Sequence, residues 1–132
     1  MIDILEYLKG LIESDKYLKT ILGDRIYYYE PTENTNTDNI FIILTPITDT
    51  PSDYVSDTYL SEIYTFQIDV EGYNRMDVVN VVKKIRHLLW ENNLYQASSQ
   101  LDLYSDVNKR YVMSRRYKGI PKNQYYKHEH IE

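Results

Sequence analysis

Residues 59–90, YLSEIYTFQIDVEGYNRMDVVNVVKKIRHLLW, contain two different periods in one uninterrupted stretch. From Tyr59 to Glu71 the period is two. Tyr64, Phe66, Ile68 and Val70 point one way, and Thr65, Gln67, Asp69 and Glu71 point the other. This is the alternation of a strand with one buried face. Gly72-Tyr73-Asn74 turns the chain, with Asn74 placed as the N-cap of a helix. Val78, Val81, Val82, Ile85, Leu88 and Leu89 then form a single apolar stripe, and Lys83, Lys84 and Arg86 fall largely outside it. The helix is expected to run to about Trp90 and stop near Asn92-Asn93.

Upstream, Ile2, Leu5, Leu8 and Leu11/Ile12 recur at helical spacing, and Asp3 followed by Glu6 resembles a capping box. A second short helix from Ser14-Asp15 buries Tyr17, Leu18, Ile21 and Leu22 and stops at Gly23. Arg25 to Tyr29 reads as a short strand. A polar loop, Glu30 to Asn39, leads to Ile40–Leu44, an apolar run expected to be buried on both faces and ended or edged by Pro46. Residues 45–58 hold two prolines and three aspartates, and read as a long exposed hairpin loop. The strand from Tyr59 to Glu71 has 13 residues. At about 3.3 Å each it would reach roughly 40 Å, so part of the hairpin is expected to project from the body. Downstream, residues 94–118 return to strand character, with Leu101 and Leu103 alternating with polar residues, a turn at Asp106-Val107-Asn108 and a strand from Arg110 to Lys118.

Strands that follow one another without βαβ alternation favour an α+β fold. The expectation is an antiparallel or mixed sheet of about four strands, with two main helices on one face, a long projecting hairpin, and a flexible C-terminal tail. One domain covers 1–118 and the tail 119–132.

Charge is distributed unevenly. The formal net charge is −5, yet residues 26–74 carry nine acids and no Lys or Arg, while residues 75–132 carry eleven basic and six acidic groups. A molecule with one acidic and one basic region can dock head to tail on its own copies. The same layout disfavours general DNA binding. There are 15 tyrosines against two Phe and one Trp, and no cysteine. Absence of cysteine excludes a disulfide scaffold, zinc-thiolate and iron–sulfur sites and a thiol nucleophile. No apolar run reaches the roughly 20 residues of a membrane-spanning helix. The start, Met1 to Glu6, does not read as a secretory signal.

No catalytic constellation stands out, and no cofactor or metal is expected. The four glycines are isolated and make no phosphate loop. His128-Glu129-His130 has the residue types of a metal site but no framework to hold them. Asp69 and Glu71 lie on one strand face, about 7 Å apart by strand geometry, and read as a solvated face rather than an acid–base pair. His87 reads as a surface residue. The residues singled out as an interface or channel loop are Asp49, Asp53, Tyr54, Asp57 and Tyr59. Lys109, Arg110, Arg115 and Arg116 form a candidate basic interface, and Tyr125 and Tyr126 are candidate tail contacts. The four cations, interleaved with Tyr111 and Tyr117, also admit a nucleic-acid-binding reading. Tyrosine supplies large contact area at low entropic cost, which favours assembly.

This layout resembles the tail terminator or tail-completion (head–tail joining) proteins of long-tailed, siphovirus-type bacteriophages. The matching features are a helix ending in Leu22-Gly23-Asp24-Arg25-Ile26-Tyr27, and a Pro-containing loop before Ile40-Phe41-Ile42-Ile43-Leu44. They continue with the strand ending Phe66-Gln67-Ile68-Asp69-Val70-Glu71, the helix Met76 to Trp90, and a late strand with Arg115-Arg116-Tyr117. The resemblance covers residues 1–118 and implies a non-enzymatic virion protein at the neck, assembled in the host bacterial cytoplasm. It implies a ring, hexameric in the family, that caps the tail tube and stops its polymerisation. The implied partners are further copies of the chain, the major tail tube protein, and a head-completion or connector protein. DNA would pass through the ring without sequence reading, and no membrane is involved. Another neck component, such as a head-closure protein, shares the same size and polarity.

Overall fold

The computed structural model describes residues 3–31, 39–55, 58–106 and 109–121, with the backbone alone for 52–55 and 58–61. Helix α1 (Ile4–Ser14) begins at Asp3, whose carboxylate accepts a hydrogen bond from the Leu5 N–H at 3.0 Å. Glu6 does not complete the expected capping box. Its carboxylate accepts a hydrogen bond from the Tyr28 hydroxyl instead, at 2.8 Å, tying the helix to the sheet. Helix α2 (Lys16–Leu22) ends at Gly23, whose φ of 59° suits a residue without Cβ.

Strand β1 (Ile26–Tyr28) stops where Tyr29 adopts a φ of 68°. Strands β2 (Phe41–Val55) and β3 (Thr58–Gly72) form the long hairpin. Helix α3 (Arg75–Trp90) is capped by Asn74, whose side-chain oxygen accepts from the Asp77 N–H at 3.1 Å. Strands β4 (Leu94–Ser105) and β5 (Arg110–Gly119) complete a five-stranded sheet of order β1-β2-β3-β5-β4.

Two features differ from the sequence expectation. The sheet has five strands rather than about four; β1 pairs parallel to β2, so of the two arrangements expected, antiparallel or mixed, the sheet is mixed. Strand direction depends on how the chain re-enters the sheet, which periodicity does not encode. The described residues hold the two main helices, α1 and α3, and the short α2 expected after Ser14-Asp15, with α1 and α2 separating at Asp15. Finally, most of the expected loop 45–58 is strand, since β2 continues to Val55. Pro46 neither ends β2 nor breaks it. The register shifts between Pro46 and Thr48, and this part of β2 lies beyond its short pairing with β1. A proline lacking an N–H is tolerated at such a bulged outer edge.

One face of the sheet carries the core. Ile42 and Leu44 from β2, Phe66, Ile68 and Val70 from β3, Tyr117 from β5 and Leu94 from β4 pack against apolar stripes of all three helices. Leu8, Ile12, Leu18, Leu22, Val78, Val81, Ile85 and Leu89 are fully enclosed on the helix side. Burial on this scale follows from the stripe spacing and supplies the main stabilisation. Phe66 stacks on Tyr117 with ring centroids 5.7 Å apart.

The hairpin extends beyond the rest of the sheet. β5 pairs with β3 only between Gly72 and Tyr64, whereas β2 pairs with β3 out to Val55↔Thr58. Among the described residues, 58–63 therefore pair with β2 alone, in a two-stranded ribbon about 20 Å long at strand rise. β4 is an edge strand, and of its residues only Leu94 is buried; Leu101 and Leu103 are exposed. The last strand runs through Gly119, one residue past its expected end at Lys118.

Candidate assembly surfaces

The hairpin residues divide by position. Asp49 is exposed on β2, opposite Tyr64. Asp53 lies on the ribbon, and Tyr54 and Tyr59 are directly paired there in backbone register. Asp57, Tyr125, Tyr126 and the His128-Glu129-His130 triplet lie outside the described residues, as do Val107 and Asn108 of the expected turn. Glu62, which sequence reading did not single out, is buried beside Asp49 on the same strand face as Tyr64. Burial first, and then the hydrogen-bonded Asp49 carboxyl, raise the Glu62 carboxyl above its ordinary range, with a hydrogen bond from Tyr64 opposing them. Only a strand register that brings Glu62 and Asp49 together reveals this pair.

Three of the four cations in the expected basic interface are engaged inside the chain. Arg115 is buried and grips Asp102 with both terminal nitrogens, at 2.6 and 3.2 Å, and donates to the Ser114 carbonyl at 3.0 Å. Arg110 lies over the Phe41 ring at 5.5 Å and within 3.7 Å of Glu71. Burial raises the Glu71 carboxyl, with Arg110 opposing that rise and Asp69 adding to it. Arg116 donates to the Gln67 side-chain oxygen at 3.0 Å, and Gln67 in turn donates to Asp69 at 3.0 Å. Asp69 and Glu71 thus belong to a polar ladder across β3 and β5 on the face away from the helices. Lys109 is exposed in the turn before β5, with a φ of 60°.

A different basic surface lies on the outer face of α3. Lys83, Arg86, His87 and Trp90, with Tyr95 and Gln96 of β4, line a groove of about 400 Å³. Trp90 is 68% exposed and Tyr95 46% exposed. Lys84, one turn from this groove, is held 3.7 Å from Asp15, and His87 lies 3.5 Å from Glu91. Lys83 and Arg86 form no ion pair among the described residues. The signal in the sequence was the single tryptophan at the end of the helix, one position past the apolar stripe.

Among the described residues there is no cluster of three or more His, Asp or Glu side chains that could hold a metal ion. No helix among them is long and apolar enough to cross a membrane. No protein-family model matches the chain, and no curated protein matches it in sequence. The fold does have a counterpart among solved structures. It is similar to a chain in the virion of a native gene transfer agent particle, with a TM-score of 0.64 over 86% of this chain and 90% of that one, at 8% identity. The two chains therefore share a fold nearly end to end.

Proposed function

We propose that this chain is a non-enzymatic structural protein of a phage-like particle, a tail terminator that assembles as a ring, caps the tail tube and joins it to the head connector. The observation that carries this reading is the near-complete fold similarity to a chain of a gene transfer agent virion. The projecting ribbon, the exposed Trp90 and the separation of acidic from basic segments support it, because each suits a molecule that meets neighbours. Its partners are other copies of itself, the tail tube protein and a head-side connector, with DNA passing through the ring unread. The engagement of Arg110, Arg115 and Arg116 within the chain weighs against a nucleic-acid-binding module.

Electron microscopy of tails assembled with and without the protein tests the reading. Tails of irregular, extended length in its absence support termination; tails of normal, uniform length refute it. Binding to the end of a polymerised tube, rather than to the portal-side complex, separates a terminator from a head-closure protein.

A further inference from the structure

We propose that the β2–β3 ribbon of one copy seats in the α3–β4 groove of the next, making the repeating contact of the ring. The proposal rests on the ring reading above and specifies its interface. Complementary charge is the first support. The ribbon carries Asp53, with the exposed Asp49 at its base, in a segment (residues 26–74) that has no Lys or Arg, whereas the groove presents Lys83 and Arg86, which form no ion pair among the described residues. Such pairing steers and orients association.

Residue type is the second support. Trp, Tyr and Arg dominate the energetics of protein interfaces, and a large aromatic ring left in water favours being covered. Trp90 and Tyr95 are the exposed aromatics of this groove. The ribbon itself supplies the third support, since beyond the buried Glu62 its strands pair only with each other among the described residues, and a two-stranded hairpin gains from packing against another surface.

Placement in the fold is the fourth support. Tyr64, Gly119 and Leu94 share one register line across β3, β5 and β4. The ribbon leaves the body beyond Tyr64, and Trp90 and Tyr95 lie beside Leu94. Both surfaces therefore sit at the same end of the strands. Across the sheet they are on opposite flanks, because the order β1-β2-β3-β5-β4 puts the hairpin toward one edge and β4 at the other. A rotation about an axis running along the strands carries the ribbon of one copy to the groove of the next at equal height. This is the condition for a head-to-tail contact to close into a ring instead of climbing into a filament.

The absence of native cysteine allows a direct test by disulfide linking. Chains carrying Ser52→Cys or Asp53→Cys, which fall on opposite faces of the ribbon, are mixed with His87→Cys chains at millimolar concentration under mild oxidation. One of the two mixtures is expected to link at least tenfold faster than the same ribbon variant mixed with Lys109→Cys, whose cysteine lies at the far end of the strands. In a second arm, Asp49→Lys/Asp53→Lys and Lys83→Glu/Arg86→Glu chains are each expected to lose self-association by about tenfold or more at low salt. A chain carrying all four changes is expected to recover it. Linking no faster than in the Lys109→Cys control, or no recovery in the fourfold variant, overturns the contact. Tail-length measurements keep the two readings apart. Specific linking with unaltered tail length refutes the tail-end reading and supports the contact; capped tails without linking overturn the contact alone.

Discussion

Replacing Gly119 by alanine would put a methyl group against the Asn93 carbonyl oxygen, well inside van der Waals contact, with the Asn93 carbonyl carbon and Leu94 Cα both 3.1 Å away. All three atoms are backbone, so no side chain can rotate aside to make room. Gly119 is also the register partner of Tyr64 on β3 and of Leu94 on β4. Relief would require separating strands at the point where α3 returns to the sheet. Overpacking costs about 1–3 kcal/mol, and a clash with backbone on a paired strand belongs at the upper end of that range. For a chain of this length about 1 kcal/mol corresponds to roughly 3–5 °C in Tm. Gly119→Ala is therefore expected to lower Tm by roughly 6–15 °C. Gly10→Ala is the matched control. Gly10 lies inside α1 with nothing within 4 Å of the position a Cβ would take. Alanine there gains about 1 kcal/mol of helix propensity and should raise Tm by roughly 3–5 °C. Calorimetry, with urea denaturation to confirm an unchanged m-value, measures both. Equal Tm changes for the two variants, or a Gly119→Ala variant within about 0.5 kcal/mol of the parent, would refute the β4–β5 register on which the α3–β4 groove depends.

Glu62→Gln tests the buried carboxyl beside Asp49. The folded chain holds the Glu62 proton better than the unfolded chain does, so its contribution is fully present below the ordinary Glu range and is lost as pH rises through the raised folded value. The variant should therefore be more stable than the parent at pH 7, with the difference closing or reversing near pH 4 in thermal melts; a difference independent of pH would refute the assignment. Phe66→Ala removes a fully enclosed ring stacked on Tyr117 and should cost about 3–5 kcal/mol in urea titrations, a large share of a domain's total stability. Asp102→Asn leaves the buried Arg115 guanidinium without its carboxylate partner and should cost about 1–3 kcal/mol. A double-mutant cycle with Arg115→Met, showing coupling below about 0.3 kcal/mol, would disprove that pairing.

Periodicity alone identified the central strand and α3, because each presents one continuous apolar face to the core, and that pattern survives in the order of residues. It also identified the α+β class and the skewed charge, which depend on local order and composition. It did not separate strand from loop in residues 45–55, where prolines and aspartates carry no alternation and only pairing with β3 holds the chain extended. The basic residues show the same division. Arg110, Arg115 and Arg116 look free in sequence, yet cross-strand register places Glu71, Asp102 and Gln67 against them. Lys83 and Arg86 look like an ordinary solvated helix face, yet the return of β4 beside α3 sets them next to Trp90 and Tyr95. The sequence by itself determined which residues must leave water and how much charge each segment carries, since transfer from water depends on residue type and spacing. Only the tertiary structure decided which charges are engaged inside the chain and which stay exposed, because ion pairs and hydrogen bonds act over a few ångströms and between residues distant along the chain.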